Sequence, residues 1–278
     1  RYYLPLGFLT DPALAQLEFD VTNNGFQFQN GLIGAASGMD GDVWHILNGD
    51  ALTIEGIDVT IQDQNTSGHC SYKADLKGGT VVYTYNINKD GFLCISVNLP
   101  KRNDVAVWIN GEHCYTEAIS LPQMLAIGDV YAGDVVELKM ASKAQGENST
   151  MTISAAVLDE MHFMNCYHAL SASTLKLTDF SNTEVKGTIL CNRDGLLYTS
   201  IPQNGNWYAQ VDGEEVGTIE IGDAMVAVAL SEGEHEVRFY YHNSAFALGW
   251  KISLLSAAVF GILVCRQRKY AKRGRYQR

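Results

Sequence analysis

The 278-residue sequence contains no CxxC pair and no cluster of histidines, so transition-metal ligation has no spacing to rest on. It also lacks a nucleophile elbow, an HExxH helix, a Walker loop and a glycine-rich dinucleotide pattern. Those absences remove the usual signatures of serine hydrolases, zinc proteases, P-loop NTPases and nicotinamide enzymes. Between Gly56 and Ala156 no stretch reads as a helix of adequate length, which excludes a parallel α/β enzyme there. Acidic residues are missing altogether from Arg266 to Arg278, where seven cations sit. All 31 acids fall between Arg1 and Asn243, against 12 Lys and Arg, a balance of 12 − 31 = −19. An acidic body of this kind is not a nucleic-acid binder, because phosphate recognition relies on clustered cations.

The two ends of the chain are therefore built for different surroundings. Between them runs a 22-residue stretch, Ser244 to Cys265, with Lys251 as its single charge. As a helix it is about 33 Å long, enough for a hydrocarbon core of roughly 30 Å. Lys251 lies near one end, where its stem can snorkel beside Trp250. The lipid bilayer is thus an expected partner. Cytoplasmic flanks collect Lys and Arg, so residues 266–278 are read as a basic cytoplasmic tail and residues 1–243 as extracytoplasmic. A buried core helix would not need seven cations beside it. The opening at Arg1, running straight into Tyr2-Tyr3-Leu4-Pro5-Leu6-Gly7-Phe8, reads as a piece of a longer polypeptide.

A hydrophobic content of 46% suffices for one large core or two ordinary ones. Residues 1–55 read as a mixed α/β lead-in continuing from a missing membrane region, with a short helix near Gln27–Ala36. From about Gly56 the period becomes two: Val81, Tyr83, Tyr85 and Ile87 alternate with small or polar residues, as do Val105, Val107 and Ile109. Turn signals at Lys77-Gly78-Gly79, Asn88 to Gly91, Asn110-Gly111 and Ala132 to Asp134 separate them. Short strands spaced this way predict an antiparallel sandwich over 56–156. A helix follows over 157–173, with Phe163, Cys166, Tyr167 and Leu170 on one face. A second sandwich is expected over 174–243, the membrane helix over 244–265 and the tail over 266–278. The fold class is mainly β, with two serial, jelly-roll-like antiparallel sandwiches, a connecting helix and one C-terminal transmembrane helix.

The two sandwiches read as copies. Lys89-Asp90-Gly91-Phe92-Leu93 returns as Arg193-Asp194-Gly195-Leu196-Leu197, and Trp108-Ile109-Asn110-Gly111-Glu112 as Gln210-Val211-Asp212-Gly213-Glu214. Ala126-Ile127-Gly128-Asp129 resembles Glu220-Ile221-Gly222-Asp223. Asp-Gly and Asn-Gly supply the positive φ of tight hairpins, so these motifs are turns rather than calcium loops, which need oxygen ligands at alternate positions and a terminal Glu.

Catalytic residues, metal ligands and cofactor-binding residues are expected to be absent. His162 and His168 stand six apart on a helix and share no face. The cysteines in the body, Cys70, Cys94, Cys114, Cys166 and Cys191, are odd in number, and several lie in strand-like runs, which favours buried free thiols over disulfides. The sequons Asn65-Thr66-Ser67 and Asn148-Ser149-Thr150 carry no weight. Trp44, Trp108 and Trp207, with Tyr83, Tyr85 and Tyr208, could offer an aromatic platform for a sugar ring, the competing reading being that they pack the cores. Trp207 is the better candidate of the three tryptophans because it follows the loop Pro202 to Asn206, and loops of a rigid sandwich are where ligands usually bind.

Three stretches, Leu4-Pro5-Leu6-Gly7-Phe8, Asn24-Gly25-Phe26-Gln27-Phe28-Gln29-Asn30 leading to Gly38, and Leu197 to Pro202 continuing through Gly205-Asn206-Trp207, Val211-Asp212-Gly213, Ile221-Gly222-Asp223-Ala224 and Gly233-Glu234-His235, resemble the C-terminal region of the YfhO family of bacterial polytopic membrane proteins. The chain departs from that pattern at Gly25, where the family usually has Pro before the aromatic. The resemblance implies a parent similar to GT-C glycosyltransferases, using a polyprenyl-phosphate-linked sugar to glycosylate a cell-surface polymer such as lipoteichoic acid. Catalytic acids of that class lie in an N-terminal membrane domain, which would be the partner of this non-catalytic, acceptor-positioning region. Two rivals are a membrane-anchored carbohydrate-binding or adhesion module without transferase activity, and a self-contained hydrolase using an Asp and Glu pair.

Overall fold

The computed structural model describes residues 3–18, 25–48, 51–55, 69–73, 79–99, 103–142 and 148–275. The sequon at 65–67 and the turn at 77–78 lie outside them. In chain order the elements begin with β1 (Gly7–Thr10), a 3-10 turn (Pro12–Gln16), α1 (Gly25–Ser37), β2 (Trp44–Leu47), β3 (Ala51–Glu55), β4 (His69–Lys73) and β5 (Gly79–Asn86). There follow β6 (Gly91–Asn98), β7 (Asn103–Ile109), β8 (Glu112–Ile119), β9 (Gln123–Val130), β10 (Val135–Ser142) and β11 (Asn148–Leu158). After α2 (Glu160–Ser171) come β12 (Lys176–Phe180), β13 (Glu184–Cys191), β14 (Gly195–Pro202), β15 (Trp207–Val211) and β16 (Glu214–Val216). The chain closes with β17 (Ile219–Ile221), β18 (Met225–Leu230), β19 (Gly233–Tyr241) and α3 (Ser244–Arg275).

The first sandwich faces the sheet β3-β5-β10-β7-β8 against β2-β11-β6-β9, with β4 pairing beside β2 on β11. All pairs are antiparallel. The two-residue period sends Val81, Tyr83 and Tyr85, Leu93, Ile95 and Val97, and Ile153, Ala155 and Val157 into one shared core. Burying each large side chain contributes about 1.5–3 kcal/mol, which is what locks the register.

The second sandwich repeats the plan. Its sheet β12-β13-β19-β15-β16 matches β3-β5-β10-β7-β8 strand for strand, and β1-β14-β18 matches β11-β6-β9. Two of the sequence landmarks occupy equal places. Gly91 opens β6 and Gly195 opens β14, and the aspartate before each accepts a backbone amide: Asp90 from Ala132 at 2.7 Å, Asp194 from Glu232 at 2.8 Å. Asn110 (φ 51°) and Asp212 (φ 53°) turn the equivalent hairpins, and each side chain accepts from the facing strand, at Val135 and Glu236. The third landmark does not superpose. Gly128 lies within β9 opposite Leu93, whereas Gly222 sits in the turn between β17 and β18, and the partner of Leu197 is Val228.

The described strands of the segment 1–55, expected as a lead-in, are shared between the two sandwiches. Strand β1 pairs with β14 from Gly7↔Thr199 to Thr10↔Leu196, while β2 and β3 join the two sheets of the first sandwich. The first sandwich is thus inserted between β1 and β12 of the second.

A helical layer joins them. Phe26 of α1 is buried against Cys94, Ala156, Trp44 and Ile46 on the outer face of the first sandwich. Ala36 and Leu32, further along α1, pack with Leu14, Leu170, Leu196, Ile221 and Ala227 on the outer face of β14, β18 and β17. Each repeated turn clamps this layer: Lys89 bonds Asp159, the N-cap of α2, at 2.7 Å, and Arg193 bonds Asp11, the N-cap of the 3-10 turn, at 2.9 Å. Gly38 ends α1 with φ 71°, donating its amide to Gly34, and a Cβ there would meet the Asp11 carboxylate at 2.7 Å.

Helix α3 follows β19 after only His242 and Asn243, the Asn243 side chain accepting from Phe246 N at 2.9 Å. Its segment Ser244–Gln267 has a mean hydropathy of 1.9, is long and apolar enough to cross a membrane, and packs against nothing else among the described residues. The basic tail expected beyond residue 265 continues this helix to Arg275.

Candidate functional site

In the second sandwich the inward residues of β19 are Val237 and Phe239, so Glu236, Arg238 and Tyr240 point outward. Pairing then sets them in rows across the sheet. Tyr240 lies between Glu184 and Tyr208, and Arg238 between Lys186 and Gln210, with Glu215 beyond Gln210. The Tyr208 and Tyr240 rings stack, with centroids 5.6 Å apart and planes at 21°. Arg238 lies over the Tyr240 ring at 5.1 Å while its guanidinium bonds Glu184 and Gln210. The Tyr240 hydroxyl donates to Glu215 at 2.7 Å, and holding that proton against a carboxylate raises the phenol's pKa. Lys186 pairs with Glu236. Glu184, Lys186, Gln210, Glu236 and Arg238, with Gly213, line an open groove of about 310 Å³, on the same sheet face as the tyrosine stack.

Such a face can stack a ring on Tyr208, which is 42% exposed, and hydrogen-bond hydroxyls through Gln210, Arg238 and the glutamates. The groove lining contains neither a serine or cysteine nucleophile nor a histidine base. Among the described residues no group of three or more His, Cys, Asp or Glu could hold a metal ion.

The aromatic candidates do not assemble into one platform. Trp44 bonds Gln29 through its indole N–H at 2.8 Å and tilts against Phe26, a packing role beneath α1. Trp108 lies on the outer face of the first sandwich, edge-on to His113 with Lys139 4.6 Å over its ring; its indole nitrogen is buried without a partner. Tyr83 and Tyr85 are core residues, and burial pushes the Tyr85 phenol up. Trp207 faces the core of the second sandwich, edge-on to Tyr241 at 5.5 Å. Tyr208 alone lies on the outer sheet face beside the groove, stacked on Tyr240. Its neighbours Tyr240, Arg238, Glu184 and Gln210 carry no motif in the sequence; the signal for Arg238 and Tyr240 is that they lie on the face opposite the alternation of Val237, Phe239 and Tyr241.

His162 and His168 stay apart from this face, His162 reaching Cys166 Sγ at 3.8 Å within α2. Cys94, Cys166 and Cys191 are buried free thiols, and desolvation raises the Cys191 pKa to about 11. Cys114 is also free but exposed, since it sits on the outer face of edge strand β8.

No curated protein matches this sequence. Solved structures similar to parts of it include the CBM35 from Cellvibrio japonicus Abf62, at 18% identity and a TM-score of 0.28, covering 40% of this chain and 91% of that one. The Podospora anserina GH26-CBM35 β-(1,4)-mannanase is 13% identical with a TM-score of 0.29, and 43% of this chain covers 28% of it. A family two carbohydrate esterase from Clostridium thermocellum, in complex with cellohexaose, is 10% identical with a TM-score of 0.25, the match covering 37% of this chain and 29% of that one. The chain spans less than a third of the mannanase and of the esterase. The family model described as bacterial membrane protein YfhO matches residues 1–253, and with the apolar helix that follows the sandwiches this places the chain in the YfhO family of membrane proteins.

Proposed function

We propose that this chain is the extracytoplasmic accessory region of a membrane glycosyltransferase, and that it holds a polymeric acceptor beside the bilayer while catalysis takes place elsewhere in the parent protein. The observation that carries the reading is the Tyr208–Tyr240 stack, set on one sheet face beside Arg238, Gln210 and Glu184, which line an open groove, only a few residues from the start of α3. A ring-stacking surface so near a membrane helix suits an acceptor that must meet a lipid-linked donor. In this reading the donor is a polyprenyl-phosphate-linked sugar, the acceptor a cell-surface glycopolymer of the lipoteichoic acid kind, and the catalytic acids belong to an N-terminal membrane domain. Residues 1–243 lie outside the cytoplasm and 266–278 inside, on the strength of the seven tail cations.

The test is glycosylation by the full-length protein carrying Tyr208→Ala. Loss of one aromatic stack costs about 0.5–1.5 kcal/mol, roughly 2- to 10-fold in affinity, so KM for the acceptor rises with kcat unchanged. An unchanged KM in Tyr208→Ala and in Arg238→Gln would reject the groove as the acceptor site. Binding of glycopolymer without any transfer by the complete protein would instead favour a membrane-anchored carbohydrate-binding module.

A further inference from the structure

The end of the second sandwich from which α3 leaves has a surface unlike the opposite end of the same sandwich. Four segments meet there: Ser181 to Thr183, Pro202 to Asn206, Gly222 to Ala224, and His242 with Asn243. Pairing places them together, since Glu184 lies opposite Tyr240, Trp207 opposite Tyr241, and Pro202 opposite Met225. Backbone bonds tie them: Gln203 N to Ala224 O at 2.7 Å, His242 N to Asn206 O at 2.8 Å, and Tyr241 N to Thr183 O at 2.8 Å. Asp223 is their single formal charge, although residues 1–243 carry a balance of −19. The rest are amides, hydroxyls, an imidazole and small residues, flanked by Phe180, 61% exposed at the end of edge strand β12, and by the Trp207–Tyr241 pair. The opposite end of the same sandwich carries Arg193, Asp194, Asp212, Glu214, Glu232 and Glu234 in its turns and strand ends.

The connection to α3 brings this end to the membrane. Two linking residues reach at most about 7 Å. The headgroup layer on each side of a bilayer is itself about 5–8 Å thick. A 24-residue span is about 36 Å long and covers a hydrocarbon core of roughly 30 Å, so its first turn already lies at the interface. The sandwich end therefore cannot stand clear of the headgroups. Uncharged hydrogen-bonding groups with aromatic flanks are the composition that the interface accepts, whereas a cluster of carboxylates would be repelled by anionic lipid.

We infer that this end of the second sandwich is a lipid-docking face: it rests in the headgroup layer of the bilayer, with Phe180 and the loop Pro202 to Asn206 in contact with lipid. The docking fixes the tilt of the whole β region against the membrane, and it holds whatever the ligand of the Tyr208 face.

The test uses the 278-residue chain in phosphatidylcholine–phosphatidylglycerol vesicles, with Cys70, Cys114 and Cys265 replaced by Ser. An environment-sensitive fluorophore is placed singly through Phe180→Cys, Asn204→Cys or, at the far end, Glu232→Cys. Docking predicts blue-shifted emission at 180 and 204 and loss of intensity when headgroup-nitroxide lipid is included, with solvent-like emission and no quenching at 232. Asn204 lies in an exposed loop, so that variant keeps the test alive if Phe180→Cys does not fold. Solvent-like emission at both 180 and 204 overturns the inference. Shielding at both without quenching by nitroxide lipid also overturns it, because protein rather than lipid would then cover the face.

Discussion

The first sandwich draws all its strands from one continuous stretch, Trp44 to Leu158, whereas the second takes β1 from before that stretch and β12 to β19 from after it. The order of the five-stranded sheet, and of three strands facing it, is nevertheless the same in both. Order is carried by local devices present in each copy: the Asp-Gly that opens β6 and β14, and the positive-φ hairpin at Asn110-Gly111 and Asp212-Gly213. Continuity is not required, because the place of β11 in the first sandwich can be filled in the second by any segment offering an apolar strand followed by a capping aspartate. Leu9, Thr10 and Asp11 do this as Val157, Leu158 and Asp159 do in the first.

Leu93 and Leu197 hold corresponding core places and are both fully buried. Leu197→Ala is expected to cost about 2–5 kcal/mol and to raise hydrogen exchange in β1 and β12 to β19 while β5 to β11 stay protected. Leu93→Ala should do the reverse. A rise spread evenly over both halves would show that the two sandwiches unfold as one unit.

The glycines that open β6 and β14 come next. A Cβ on Gly195 would meet the Thr10 carbonyl at 2.5 Å, and one on Gly91 the Leu158 carbonyl at 2.7 Å. Overpacking of this kind costs about 1–3 kcal/mol, so Gly195→Ala should lower the urea midpoint and release β1, whose strand partner is β14. Equal protection of residues 7–10 in the variant and the parent would refute the clash.

Smaller effects are expected at the two clamps. Lys89→Ala and Arg193→Ala each remove a partly exposed ion pair and should cost about 0.2–1 kcal/mol, less in high salt. The Lys89 ammonium, then the His162 amide, hold the Asp159 carboxyl below its ordinary pKa. A depressed carboxylate contributes stability above its unfolded pKa, lost as pH falls through the folded value; here that window lies below about pH 4. Denaturation at pH 7 and pH 3 should therefore show a smaller acid loss in Asp159→Asn.

The smallest effect separates the two hairpins. In the first, Asn110 donates to Asp134; in the second, Asp212 faces His235 at 2.7 Å, which lowers the Asp212 pKa. Asp212→Asn should thus remove acid sensitivity from the turn between β15 and β16, read by exchange of the Glu236 amide below pH 4, and leave the first hairpin unchanged.

Much of this arrangement was legible along the chain. Period-two alternation marks the core faces at Val81 to Ile87 and Val237 to Tyr241; the heptad-like spacing of Phe163, Cys166, Tyr167 and Leu170 marks α2; and a long, nearly uncharged run marks α3. The Ile-Gly-Asp likeness does not extend to the structure, because a glycine can serve either a strand irregularity, as at Gly128, or a turn, as at Gly222, and the tripeptide is the same in both. The aromatic candidates divided for a similar reason. Tryptophan is equally suited to packing under a helix, to a cation on a sheet face and to a core edge, and neighbours distant in sequence choose among these for Trp44, Trp108 and Trp207.

By itself the sequence determined what depends on neighbours along the chain: the β class, the hairpin turns, the helices and the membrane span, all of which follow from side-chain period, glycine placement and run length. The tertiary structure decided what depends on residues far apart: the pairing of β1 with β14, the insertion of one sandwich into the other, and the gathering of Tyr208, Tyr240, Arg238 and Glu184 on one face. The physical reason is that strand pairing is satisfied by any backbone with the right alternation, so partner choice rests on the summed burial of a whole sheet, which no local stretch contains.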